Sequence, residues 1–90
     1  MYRIKFKYLT REQYMELAYC GAKMYEQWEQ FRPNQCRKMA AEGTLFPYLK
    51  RTGDDLQEQM TEMIRQGVAE DGAWEIVKEV IFAPSEDADP

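Results

Sequence analysis

From Thr10 to Phe31 the apolar residues recur at steps of three and four: Tyr14, Leu17, Gly21, Met24, Trp28 and Phe31. The period matches a 3.6-residue turn, so the spacing predicts one amphipathic helix of about five turns whose stripe faces a core. Thr10 with Gln13 has the spacing of a capping box and marks the start. Ala18 and Tyr25 widen the stripe. Gly21 lies inside it, where glycine costs about 1 kcal/mol against alanine, and it permits close approach of another helix.

The remaining segments are read around that helix. Pro33 ends it and suits the first turn of the next, over 33–42, with Cys36, Met39 and Ala40 inward and Arg37 and Lys38 outward. Gly43 is the expected stop. Leu45-Phe46-Pro47-Tyr48-Leu49 is an apolar knot in a short helix or turn, followed by Lys50-Arg51 and an expected break at Thr52-Gly53. Asp54 or Asp55 then caps a helix with Leu56, Met60, Met63, Ile64 and Gly67 inward. After a turn from Gly67 to Gly72, Asp71 or Gly72 leads into a last helix with Trp74, Val77 and Ile81 on one face and Ile76 and Val80 beside it. That arc is wide enough for a central or interface helix. Residues 83–90 hold two prolines, three acids and no apolar period, the pattern of a disordered tail.

The N-terminus follows a different period. Tyr2, Ile4, Phe6 and Tyr8 alternate with Arg3, Lys5 and Lys7, which predicts a strand over 2–8 with one buried face. No second strand follows, and a lone strand leaves backbone donors and acceptors unpaired. It needs a symmetry mate, a target sheet edge or a short pairing within the chain; the other reading is an extended arm packed on helices. The expected fold class is therefore mainly α: a small bundle of about four helices, one domain over 1–82, with one short N-terminal β-strand.

The 90-residue length limits the chain to one domain of modest stability. No apolar run approaches ~18 residues, and the basic N-terminus lacks a continuous apolar stretch, so a cytosolic protein is expected, with no membrane span or signal peptide. In that compartment Cys20 and Cys36 read as free thiols. There is no histidine, which removes the commonest general base, the Ser/Cys–His pairings and the usual zinc sites. The one serine, Ser85, has no histidine to activate it, and the five glycines are too scattered for a phosphate-cradling loop. A non-enzyme with no cofactor and no metal is the expectation.

Function then has to reside in surfaces. Net charge is −4, which repels nucleic acid at long range and favours basic partners. Asp54, Glu58 and Glu62 step by four on one predicted helix, as do Asp71, Glu75 and Glu79 on the next. Such residues share one helix side, ~6 Å apart along the axis, whereas a DNA strand carries a charge every ~3.4 Å. Two adjacent stripes approach that density; singly they are ordinary solvated faces. Arg37-Lys38 and Lys50-Arg51 flank the apolar knot with Phe46 and Tyr48, and are candidate nucleic-acid contacts.

The text Arg32-Pro33, Met39 and Gly43-Thr44-Leu45-Phe46-Pro47-Tyr48-Leu49 resembles the transposon-encoded protein TnpV family. The later helix with Met60 and Met63 and the ending Glu75-Ile76-Val77 to Ile81-Phe82 are also similar, so the resemblance covers about residues 32–82. The chain is shorter than that family's pattern between its last two helices, and its first 31 residues do not match. The resemblance implies a small protein of mobile elements such as transposons or phages, and no catalytic residues carry over. By analogy with small acidic proteins in that setting, the expected function is non-catalytic protein binding. Its most concrete form is an anti-CRISPR-type inhibitor whose acidic face occupies a basic groove on a Cas-type nuclease or another host nucleic-acid enzyme. The alternative is a DNA-binding or structural accessory protein, acting as a homodimer.

Overall fold

A computed structural model describes residues 3–81. Those residues form five α-helices in chain order: α1 (Arg11–Glu16), α2 (Tyr19–Phe31), α3 (Pro33–Glu42), α4 (Leu45–Arg65) and α5 (Glu70–Ile81). The result is a small helical bundle, as the periodicities predict. The tail expected over 83–90 lies outside the described residues.

Helix α2 is the hub and packs against α3, α4 and α5, while α4 also meets α3 and α5. Leu17, Cys20, Met24, Tyr25 and Trp28 from the α2 side meet Leu45, Leu49, Leu56 and Met60 of α4, with Ala73, Val77 and Ile81 of α5 and Cys36 of α3 completing the core. Both cysteines are buried free thiols. Ile76 and Val80 remain exposed on α5.

Two glycines meet where α2 and α4 pack. A Cβ placed on Gly53 would lie 2.5 Å from the Cα and 2.6 Å from the N of Gly21, and one on Gly21 would lie 2.9 Å from the Leu49 carbonyl oxygen. Any side chain at Gly53 must therefore push backbone, so the pair fixes how near α2 and α4 run. This revises the break expected at Thr52-Gly53. The buried positions Leu45, Leu49, Gly53, Leu56 and Met60 continue one helical stripe through it, and the gain in packing outweighs the ~1 kcal/mol cost of a helical glycine. Pro47 sits in the first turn of α4, where its missing N–H has no intrahelical partner to lose. Asp54 and Asp55 are consequently mid-helix and not caps.

The long helix expected from Thr10 to Phe31 divides in two. Leu17 and Ala18 both take extended backbone angles, between α1 and α2. In one continuous helix Tyr14 and Tyr25 would stand ~16 Å apart along the axis. The break brings their ring centroids to 6.2 Å, and the Phe6 ring to 5.4 Å from Tyr14, both edge-to-face. The capping box at Thr10 does form: Thr10 Oγ1 accepts from the Gln13 N–H, and Gln13 Oε1 accepts from the Thr10 N–H, each at 3.1 Å. Gly43 ends α3 at φ 75, and the Thr44 N–H reaches back to the Met39 carbonyl at 2.9 Å, a left-handed helix stop that disfavours other residues.

No β-strand is present among the described residues, so the strand expected over 2–8 is corrected to an arm; Tyr2 lies outside them. The alternation itself persists, with Ile4, Phe6 and Tyr8 half-buried and Arg3, Lys5 and Lys7 exposed. Phe6 at φ 53 turns the backbone out of the extended region. The backbone donors that another strand would satisfy go to side chains of α2. The Lys5 and Lys7 N–H groups donate to the Glu29 carboxylate at 2.7 and 3.1 Å, and the Tyr8 N–H donates to the Tyr25 hydroxyl at 3.2 Å.

Candidate functional site

All six acids of the two stripes are exposed: Asp54, Glu58 and Glu62 on α4, and Asp71, Glu75 and Glu79 on α5. By helical geometry each stripe lies on the side of its helix opposite that helix's buried residues. The turn over 66–69 joins α4 and α5, so the structure gathers both stripes onto one helical hairpin. Residues 45–81 carry eight acids and four bases, whereas residues 3–43 carry eight bases and five acids. The described chain is thus electrically polar, with the hairpin as its negative part.

Three of the six carboxylates have basic neighbours on their own helix. Lys50 lies 4.0 Å from Asp54, Arg65 3.1 Å from Glu62, and Lys78 2.8 Å from Glu75. Exposed pairs of this kind contribute little to stability. They do reduce the field of each stripe, and Glu58, Asp71 and Glu79 form no ion pair among the described residues. A shallow trough of about 480 Å³ runs beside the α4 stripe, lined by Asp55, Glu58, Gln59, Thr61, Glu62 and Arg65.

The bases proposed for nucleic acid lie on two helices. Arg37 and Lys38 are exposed on α3, and Lys50 and Arg51 are exposed on α4. Lys50 is already engaged, with Asp54 and with the Glu16 carbonyl oxygen at 3.5 Å. Nearby, Tyr48 stacks on Trp28 at 5.5 Å between centroids, and the Arg32 guanidinium lies 5.5 Å from the other partner's ring, that of Trp28.

Two features were not singled out from sequence. The first is Glu29, a 5% exposed carboxylate in the interior of α2 that accepts from Lys5, Lys7 and the Tyr25 hydroxyl. Burial, reinforced by the hydrogen bond to Glu29, holds the Tyr25 phenol well above the usual tyrosine range. Burial and the nearby Glu26 carboxylate push Tyr14 up to about 12. The Cys20 thiol is raised by burial alone, which makes it a poor nucleophile. Glu29 is three residues from Glu26 in a helix rich in Gln and Glu, and nothing in that spacing marks it as the buried one.

The second feature is a cleft of about 410 Å³ where the start of α2, the middle of α4 and the start of α5 meet. Tyr19, Gln57, Met60, Glu70, Asp71 and Trp74 line it. Tyr19 and Trp74 meet edge-to-face at 5.3 Å, and Lys23 lies 5.5 Å from the Tyr19 centroid. Among the described residues no three Cys, Asp or Glu converge as metal ligands would, and no helix is long and apolar enough to cross a membrane. Comparison with protein-family models, curated proteins and solved structures returns no match.

Proposed function

We propose that this protein acts without catalysis, by binding a basic surface of another protein through the outer face of the α4–α5 hairpin. The observation that carries the reading is the placement of both acidic stripes, all six residues exposed, on one hairpin that holds twice as many acids as bases. A surface of this sign and length is complementary to a groove that binds nucleic-acid phosphates. The resemblance to TnpV-like proteins adds a setting, that of a mobile element, and with it a partner class: a host nucleic-acid enzyme, most concretely a Cas-type nuclease. The protein then works as an inhibitor that competes with nucleic acid, in the cytoplasm of a bacterial host.

The test is association kinetics with a panel of purified Cas-type nucleases at several salt concentrations. Replacing Asp54, Glu58 and Glu62 together with Asn, Gln and Gln, and separately Asp71, Glu75 and Glu79, should slow association and flatten its salt dependence. Reversal of charge along both stripes with binding unchanged excludes the reading.

A second reading is favoured by the opposite charge of residues 3–43. There the arm exposes Arg3, Lys5 and Lys7 and α3 exposes Arg37 and Lys38, and a dimeric DNA-binding accessory protein would use these with Lys50 and Arg51. It requires DNA affinity that falls with salt. A mobility shift at low salt that is lost in the Arg37→Ala/Lys38→Ala chain would favour it over the first.

A further inference from the structure

The cleft between α2, α4 and α5 has a property that the trough beside the α4 stripe lacks: aromatic walls. Met60, only 6% exposed, supplies buried apolar lining. Tyr19, at 55% exposure, and the half-buried Trp74 present ring surface on one side. Glu70 and Asp71 supply two carboxylates in the first turn of α5, and Gln57 supplies a side-chain oxygen. None of the six lining residues is basic. Acids in a first helical turn are accounted for by the helix dipole alone. That account gives no reason for them to border an aromatic cleft.

We infer that this cleft binds an arginine side chain of a protein partner. The chemistry selects the ligand. Aromatic faces attract cations through the ring quadrupole, and Lys23 beside the Tyr19 ring shows that this ring already associates with a positive group. A planar guanidinium can stack flat against an aromatic wall while its edge donates two parallel hydrogen bonds to a carboxylate, a bidentate geometry that an ammonium lacks. The volume lies within the ~300–1,000 Å³ span of sites that enclose a small ligand. The inference rests on the protein-binding reading above, and it turns one patch of the acidic hairpin into a specific anchor, of the kind that dominates interface energetics.

The experiment is a nuclear magnetic resonance titration of the isotope-labelled full chain with N-acetyl-arginine methylamide. Its neutral citrulline counterpart and the lysine counterpart are titrated in parallel. The expected result is saturable shifts confined to the Trp74 indole N–H, the Gln57 side-chain amide and the backbone of Glu70 and Asp71. The citrulline and lysine probes should bind about tenfold more weakly or worse. Tyr19→Ala and the pair Glu70→Gln/Asp71→Asn should each weaken the arginine probe severalfold with the remaining spectrum unchanged, which certifies the fold. The Asp54→Asn/Glu58→Gln/Glu62→Gln chain should retain it in full. Equal response to citrulline, equal response to lysine, or non-saturating shifts at every carboxylate alike would each overturn the inference. Loss of the cleft result while the Asp54→Asn/Glu58→Gln/Glu62→Gln chain, which leaves the cleft intact, still slows partner association removes the anchor and leaves the hairpin reading standing. The converse removes the hairpin reading alone.

Discussion

The seam around α2 and the outer face of the α4–α5 hairpin use the same residue types to opposite ends. At the seam Glu29 is enclosed by two backbone N–H groups and a phenol, and it holds the N-terminal arm in place. On the hairpin, Asp54, Glu58, Glu62, Asp71, Glu75 and Glu79 are exposed, and the ion pairs that three of them form are with a lysine or arginine of the same helix. Glycine divides in the same way. Gly53 is pressed against the backbone of Gly21, while Gly72, near the start of α5, has only the Val68 side chain within reach. A carboxylate or a glycine is therefore structural or superficial according to what the packing places around it.

The glycine pair gives the strongest test of that contrast. Gly53→Ala should cost about 3 kcal/mol or more, because the added carbon meets rigid backbone and two helices must part. Gly72→Ala meets a side chain at 3.4 Å and gains helix propensity, so it should stabilise by roughly 0.5 kcal/mol. Urea unfolding of both variants measures the difference; a loss below that of an ordinary surface substitution at Gly53 would mean that α2 and α4 do not cross there.

The carboxylates give the next. Glu29→Gln replaces one acceptor oxygen with a donor that opposes the N–H group of either Lys5 or Lys7, which bond to different oxygens, and should cost about 2–3 kcal/mol. Hydrogen exchange at those two amides should accelerate well before the helices are affected. Protection that survives the substitution would assign the arm some other anchor.

High pH probes the same seam from the phenol side. Tyr14, raised to about 12, and Tyr25, raised further, have folded values above the unfolded value of ~10. Their contribution to stability is therefore complete below pH ~10 and is lost as the pH rises from there through the folded values. Thermal unfolding from pH 8 to 12 should fall along that window, with Tyr25→Phe removing part of the slope.

The smallest effects belong to the hairpin. Asp54→Asn, Glu58→Gln, Glu75→Gln and Glu79→Gln should each leave stability within about 0.5 kcal/mol of the parent, as exposed positions do. A stability loss of the Glu29 magnitude at any of them would place that residue in the seam and not on a free surface.

The sequence by itself determined the helical class, the positions of most helical faces, the capping box at Thr10, the stop at Gly43 and the outward orientation of both acidic stripes. Each of these depends on residues within a few positions of one another, and local periodicity and local hydrogen bonding suffice to specify them. Only the tertiary structure decided the break at Leu17-Ala18, the continuity of α4 through Gly53, the burial of Glu29 and the meeting of Tyr19 with Trp74. Every one of these joins groups far apart along the chain: Gly21 with Gly53, Lys5 with Glu29, Tyr14 with Tyr25, Tyr19 with Trp74. An apolar period is blind to a partner that packing brings in from elsewhere. The strict alternation over 2–8 carries the same lesson, since it identified which side chains turn inward while the acceptor for the arm's backbone lay on a helix more than twenty residues away.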